Sequence, residues 1–320
     1  MAGLKEHVST FVKLNALALG AIHLANRFIF SVSGGKNMLK PGGGKYYRWK
    51  YGEVFYHKYG EGSPLVLLHD TRPSFSSYEW NEVVDELSRT HTVYAVDLPG
   101  CGRSSKPHVS YTNYFYVLFL SSFIKDVVHK KCEVLASGYS SSFAIMTALT
   151  NDSLIGKITA VNPRNLHDLS ADTDAKCRAA SRLLRLPVIG TNVFNIAYSR
   201  ENIDYSFTEK FMFNPFHSKK RFVDAFYEGA HYNEGSGKYL LASIVGKYTS
   251  VDISDALKKI SARITILYGD RLARGQAVAE QYQKLNPSIK ALEISGTKVL
   301  PHMERPQEFI SVYRAAAKLH

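Results

Sequence analysis

The sequence predicts an α/β fold: a mostly parallel, twisted sheet with helices on both faces, an inserted helical lid and an N-terminal helix. Three observations carry that expectation. Short apolar runs of strand length alternate with helix-length segments through 46–164 and again through 256–320. Residues 165–255 break the alternation with a helical pattern dense in aromatics. A basic and apolar stretch, 1–45, precedes both. Alternating strands and helices imply parallel strands covered on both faces, with binding loops beyond their carboxyl ends.

Taken in order, Leu4 to Phe30 reads as a helix. Lys5, Ser9, Lys13, His23 and Arg27 fall within about 80° of one another on a helical wheel. Ala16 to Ile22 is its longest unbroken apolar run, far short of the ~20 residues of a spanning helix. An interfacial helix, a helix docked on its own domain, and a cleaved or spanning segment all stay open. Pro41 and Gly42-Gly43-Gly44 read as a flexible joint. Trp49 to Lys58 alternates like a strand pair around Gly52. Pro64–Leu68, Thr92–Val96, Cys132–Ala136, Lys157–Val161, Arg263–Tyr268 and Ile289–Ile294 read as strands. Ser77–Ser88, Tyr111–His129, Ser142–Leu149, Gln276–Leu285 and Pro306–Leu319 read as helices. The aromatics of 165–255, among them Phe207, Phe211, Phe222 and Phe226, suit a lid over an apolar cavity.

Composition excludes other classes. A hydrophobic fraction of 45% is too high for disorder. Cys101, Cys132 and Cys177 are too few and too scattered for a disulfide framework or a zinc ribbon. They suit a reducing, cytoplasmic compartment. A mean hydropathy of -0.17 argues against a polytopic membrane protein. The net charge is +12. Nine Lys or Arg against Glu6 and Glu53 in the first 60 residues account for more than half of it. Such a field attracts anionic lipid surfaces, so membrane association through 4–32 is expected. No nucleic-acid motif accompanies the charge. No metal or nucleotide cofactor is implied, because no phosphate-binding glycine pattern opens a helix.

The motif with chemical content is Gly138-Tyr139-Ser140-Ser141-Ser142, between a strand and a helix. Small residues two before and two after a serine let the chain turn sharply and lift the hydroxyl above the sheet. Ser140 is therefore the expected nucleophile. Upstream, Leu67-Leu68-His69-Asp70-Thr71 and Asp97-Leu98-Pro99-Gly100-Cys101-Gly102-Arg103-Ser104 each follow a strand. With these motifs the chain resembles the α/β-hydrolase superfamily over about 46–164 and 256–320, with 165–255 in the usual lid position.

The resemblance implies an oxyanion hole near Thr71, with Ser141 as second donor. Asp70 stands where the family has Gly, and its carboxylate would oppose a developing oxyanion if it pointed inward. His69 is structural in that family. The resemblance also places the acid at Leu272 and the base at Val299, both apolar here, while His302 matches a second, non-catalytic histidine. Two readings follow. One is a weakly active or non-catalytic hydrolase fold that binds an apolar small molecule or lipid-like ligand at a membrane surface. The other is a serine ester or acyl hydrolase that uses Ser140 with a relocated base and acid, His302 and Asp270. His167 and Asp168 form a second candidate pair.

Overall fold

The chain is described by a computed structural model covering residues 2–40, 42–233 and 235–318. Pro41 of the expected joint lies outside the described residues. Eight strands form one sheet in the order β1-β2-β4-β3-β5-β6-β7-β8. They are β1 (Lys45–Trp49), β2 (Gly52–Tyr59), β3 (Ser63–Leu68), β4 (His91–Val96), β5 (Cys132–Ser137), β6 (Ile155–Val161), β7 (Arg263–Gly269) and β8 (Lys290–Ile294). β1 with β2, and β2 with β4, pair antiparallel, and every other pair is parallel. The run of apolar residues in β3, buried from Leu65 to Leu68, is what a strand covered on both faces requires.

Two apolar layers cover the sheet. One packs Val66, Val134 and Ile158 under Phe119, Phe123 and Phe143. The other packs Leu67, Leu135 and Leu267 against Trp80 and Phe309. The helix Asn113–Phe123 begins where Thr112 accepts the Phe115 N–H with its hydroxyl, a side-chain N-cap. It runs on as one wide turn, Ile124–Val128, and ends at left-handed His129.

Between β6 and β7 the described residues hold helices, among them Ala175–Arg185, Val188–Ala197 and Lys220–His231. Phe207, Phe211, Phe222 and Phe226 form a buried cluster with Phe75, Leu300 and Met303 of the sheet domain. Glu304 clamps this cap to the core. Its Oε1 accepts the N–H groups of Phe213 at 2.7 Å and Asn214 at 2.9 Å, while Oε2 accepts that of Lys298.

The N-terminal helix, Ala2–Ser33, lies beside the cap. Asn195 Nδ2 donates to Asn26 Oδ1 at 2.8 Å. The chain is anchored on either side of the glycine joint: before it Glu228 accepts the N–H groups of Met38 and Leu39, and at its end Gly44 sits so close to the Phe55 ring that no side chain would fit.

Asp97 organises the turn after β4. It is fully buried and accepts from Arg103 Nε at 2.7 Å, Arg103 Nη2, the Arg103 N–H and the Ser77 N–H. Burial alone would raise its pKa, but the Arg103 guanidinium outweighs it and holds the carboxyl far below the usual range. The stability from this ionised group is complete above the ordinary Asp value near 4 and is lost as pH falls below it. Arg103→Met strands a buried charge and is expected to destabilise the fold by about 3–5 kcal/mol. Urea unfolding at neutral pH measures the loss, and a change under 1 kcal/mol would contradict the assignment.

Candidate active site

β5 ends at Ser137, and the next residue, Gly138, is left-handed at φ 55° before the helix Ser140–Thr150 begins. A strand that turns into a helix this abruptly needs one residue in that region, and glycine reaches it without strain. In a nucleophile turn the reactive residue occupies that strained corner. The oxyanion donors are then the N–H of the following residue and one from the loop after β3. Here those donors belong to Tyr139 and Thr71.

Both N–H groups already have an acceptor. Asp70 Oδ1 takes the Thr71 N–H at 2.8 Å and the Tyr139 N–H at 2.9 Å. Its Oδ2 receives Arg72 Nε at 2.8 Å and lies 3.6 Å from Arg164 Nη2. A Cβ at Gly138 would come within 2.3 Å of Asp70 Oδ1, so the carboxylate fills the space of a side chain at the corner. Burial would raise the Asp70 pKa, but Arg72, Arg164 and the Tyr139 N–H together lower it, so the group stays an anion.

This geometry corrects the expected site. Ser140 is not at the corner: it lies two residues later, in the first turn of the helix, and is fully buried. Its hydroxyl donates to the His69 carbonyl at 2.6 Å and lies 3.0 Å from Thr71 Oγ1. The small-residue spacing fits two frames, Gly138-x-Ser140-x-Ser142 and Ala136-x-Gly138-x-Ser140, and only the backbone selects the second. The Thr71 N–H converges with that of Tyr139, not with that of Ser141, on Asp70 Oδ1. The Ser141 N–H faces Gly138 O at 3.4 Å, and the Ser141 hydroxyl bonds Ala136 O.

The relocated pair does not assemble. His302 is fully buried, stacked on Trp80 at 4.2 Å between ring centroids, with Nε2 3.0 Å from Glu79 Oε1 and out of line for a hydrogen bond. Asp270 instead accepts the Thr297 N–H at 3.2 Å and pairs with Arg271. His167 and Asp168 are both exposed. His69 has both ring nitrogens committed, Nδ1 to Asp70 O and Nε2 accepting from the Leu98 N–H.

Gly138, Leu272 and Val299 do converge. They line one cavity of about 340 Å³ with Asp70, Arg72 and Arg164. Asn162, a residue the sequence did not single out, draws the loops together. Its Nδ2 donates to Lys298 O and Val299 O at 2.9 Å each, and its Oδ1 accepts the Gly269 N–H. Most cap aromatics pack in the layer between the cap and the sheet domain, while Tyr198, Phe211 and Phe226 line a separate cavity of about 190 Å³ beside Arg72. The wall of the cavity at Gly138 is instead Pro163, Val278 and residues of the strand-end loops.

A mostly parallel eight-stranded sheet, a strand–corner–helix at β5, and an N–H cradle after β3 define a protein of the α/β-hydrolase fold. The Abhydrolase_6 alpha/beta hydrolase family profile matches residues 65–312, and the chain belongs to that family. Among curated relatives, the soluble epoxide hydrolase of Corynebacterium sp. strain C12 is 31% identical over 99 residues, 31% of this chain and 34% of that protein. The chain aligns with about a third to two-fifths of the length of the curated relatives it matches. Among solved structures, the epoxide hydrolase CorEH has a TM-score of 0.71 at 17% identity, over 87% of this chain and 99% of that one. A membrane phospholipase A described as a bacterial virulence factor has a TM-score of 0.65 at 17% identity, over 97% of both chains.

Two predictions follow from the corner. Gly138→Ala is expected to destabilise the fold beyond the ~1–2 kcal/mol of a left-handed non-glycine residue, because its Cβ collides with Asp70. In an Asp70→Gly background the excess should vanish, and a double-mutant cycle by urea unfolding reads the coupling. Additive effects would refute the contact. The Asp70 contribution to stability should persist above the ordinary Asp pKa near 4 and fade below it, the sign of a lowered carboxyl. A wild-type stability–pH slope below pH 4 no steeper than that of Asp70→Asn would count against it.

Proposed function

We propose that this is a non-hydrolytic member of the α/β-hydrolase family. In this reading it binds an apolar or lipid-like small molecule with an anionic end, at a membrane surface reached by its N-terminal helix. The observation that carries the reading is Asp70 Oδ1 seated on the Thr71 and Tyr139 N–H groups. An oxyanion needs those donors free, and a fixed carboxylate there both fills the space and repels the developing charge. The triad positions support it: Gly138 offers no nucleophile, and Leu272 and Val299 can neither orient nor accept a proton. The cavity keeps apolar wall from Pro163, Leu272, Val278 and Val299. The cavity lining carries Arg72, Arg164 and Arg274 against Asp70 and Asp168, an excess of one positive charge, with Arg72 and Arg164 both on the Asp70 carboxylate. A carboxylate head with an alkyl tail matches that lining.

A second reading, a serine ester hydrolase, is favoured by the names of similar structures, which include a serine hydrolase of carbazole degradation and the carboxylesterase CesB of Bacillus subtilis. It requires Ser140 to leave its bond to the His69 carbonyl and find a base.

The two part cleanly in one experiment. A fluorophosphonate probe is expected to leave the folded chain unlabelled, and a short-chain p-nitrophenyl ester to turn over at the same background rate in wild type and Ser140→Ala. Labelling at Ser140, or turnover lost in the variant, would establish the hydrolase instead. Dodecanoate should raise the melting temperature of wild type more than dodecanol does, with the difference reduced in Arg164→Ala. Equal shifts from acid and alcohol would remove the anionic end from the ligand.

A further inference from the structure

The N-terminal helix carries the stretch Lys13–Ser33, long and apolar enough to cross a membrane and only 11% buried. Leu17, Leu24 and Phe28 are 68–75% exposed. Its inward side, Ile22, Asn26, Phe30 and Ser33, follows helical spacing and rests on the cap. The contact is specific, since Asn26 and Asn195 are both buried and bonded to each other, and Asn26 Nδ2 also reaches Val188 O.

The partner in that contact is itself apolar outward. In the cap helix Val188–Ala197, Ile189, Val193 and Ile196 are all exposed. Their spacing of i, i+4 and i+7 makes one stripe along the helix. Leu183 and Leu186, just before it, are exposed as well. No Asp or Glu occurs in 7–52 or in 175–200, while these segments hold seven and five Lys or Arg residues. The acidic residues nearest in sequence to the cap stripe are Asp174 and Glu201, just outside this segment, so an apolar stripe with a net basic setting has the character of a surface for anionic lipid.

The position of Asn26 decides what kind of membrane contact this is. It lies seven residues before Ser33, so the Asn195 bond sits about 10 Å inside that end of the apolar stretch at 1.5 Å per residue. A bilayer crossed by all of Lys13–Ser33 would drag the cap helix inside or break the bond. We infer that the two helices enter a single leaflet together: the N-terminal helix and the cap helix Val188–Ala197 form one monotopic face for anionic membranes. The inference rests on the membrane part of the proposed function and goes beyond it by assigning the cap a share of the contact and excluding a span.

Flotation of the full chain with phosphatidylcholine vesicles containing phosphatidylserine tests it. Ile189→Glu/Ile196→Glu, at exposed positions, should weaken partitioning by at least about tenfold, since each replaces an apolar side chain in lipid by a charge. Leu17→Glu/Leu24→Glu should do the same, and both variants should keep the wild-type melting temperature in solution. A tag before Met1 should stay open to protease on intact vesicles. If the cap variant floats like wild type while the Leu17/Leu24 variant does not, the shared face is overturned and the N-terminal helix anchors alone. A protected tag means a span and also overturns it. Wild type that fails to float removes the membrane reading altogether. A wild-type dimer that the cap variant dissociates, without vesicle binding, would mean that a second copy covers this face.

Discussion

Everything at the candidate site depends on where the Asp70 carboxylate sits. A buried anion needs several donors to replace its lost hydration. Asp70 finds them in two backbone N–H groups from separate strand-end loops and in Arg72, with Arg164 close by. That arrangement ties the loop after β3 to the corner after β5. It also explains why the corner residue is Gly138: the carboxylate occupies the volume a Cβ would need. Asp70, after His69, thus holds two loop N–H groups and Arg72 in one internal ion site.

The surroundings are built to hold this arrangement still. Glu79 accepts the Asp70 N–H at 2.8 Å from beneath and lies against His302, which stacks on Trp80. Asn162 gathers the loops carrying Gly269 and Val299, and Val299 in turn donates its N–H to Phe211 O of the cap. Glu304 fastens the same loop to Phe213 and Asn214. Each of these buried polar groups bridges segments distant in sequence. The cavity is thus a fixed feature of the sheet's carboxyl edge. Rigid placement of Arg72 and Arg164 suits binding, where preorganisation lowers the cost of ordering side chains around a ligand.

Much of the architecture was legible because it rests on local periodicity. Pro64–Leu68, Thr92–Val96 and Lys157–Val161 read as buried strands and are β3, β4 and β6, each within two residues of the observed limits. The alternation around Gly52 is the β1–β2 hairpin. The site was legible only in part. Leu272 and Val299 were named from the resemblance to the family, and both line the cavity with Gly138. Ser140 was misplaced because two overlapping small-residue frames satisfy the same motif. The aromatics of the cap were read as a cavity wall; Tyr198, Phe211 and Phe226 line a small cavity beside Arg72, while Phe207 and Phe222 pack in the layer against the sheet domain, a division that composition does not record.

By itself the sequence determined the element order, the parallel sheet, the helical insertion and the concentration of positive charge at the N-terminus. Hydrophobic period, turn residues and charge are written residue by residue, so they survive without coordinates. Tertiary structure alone decided that Gly138 is the corner, that Asp70 takes the two N–H groups, and that Asn26 binds Asn195. Each of those depends on a backbone torsion or on a contact between segments about 70 to 170 residues apart. Hydrogen-bond partners at such separation are set by how the layers pack, and no local pattern records that.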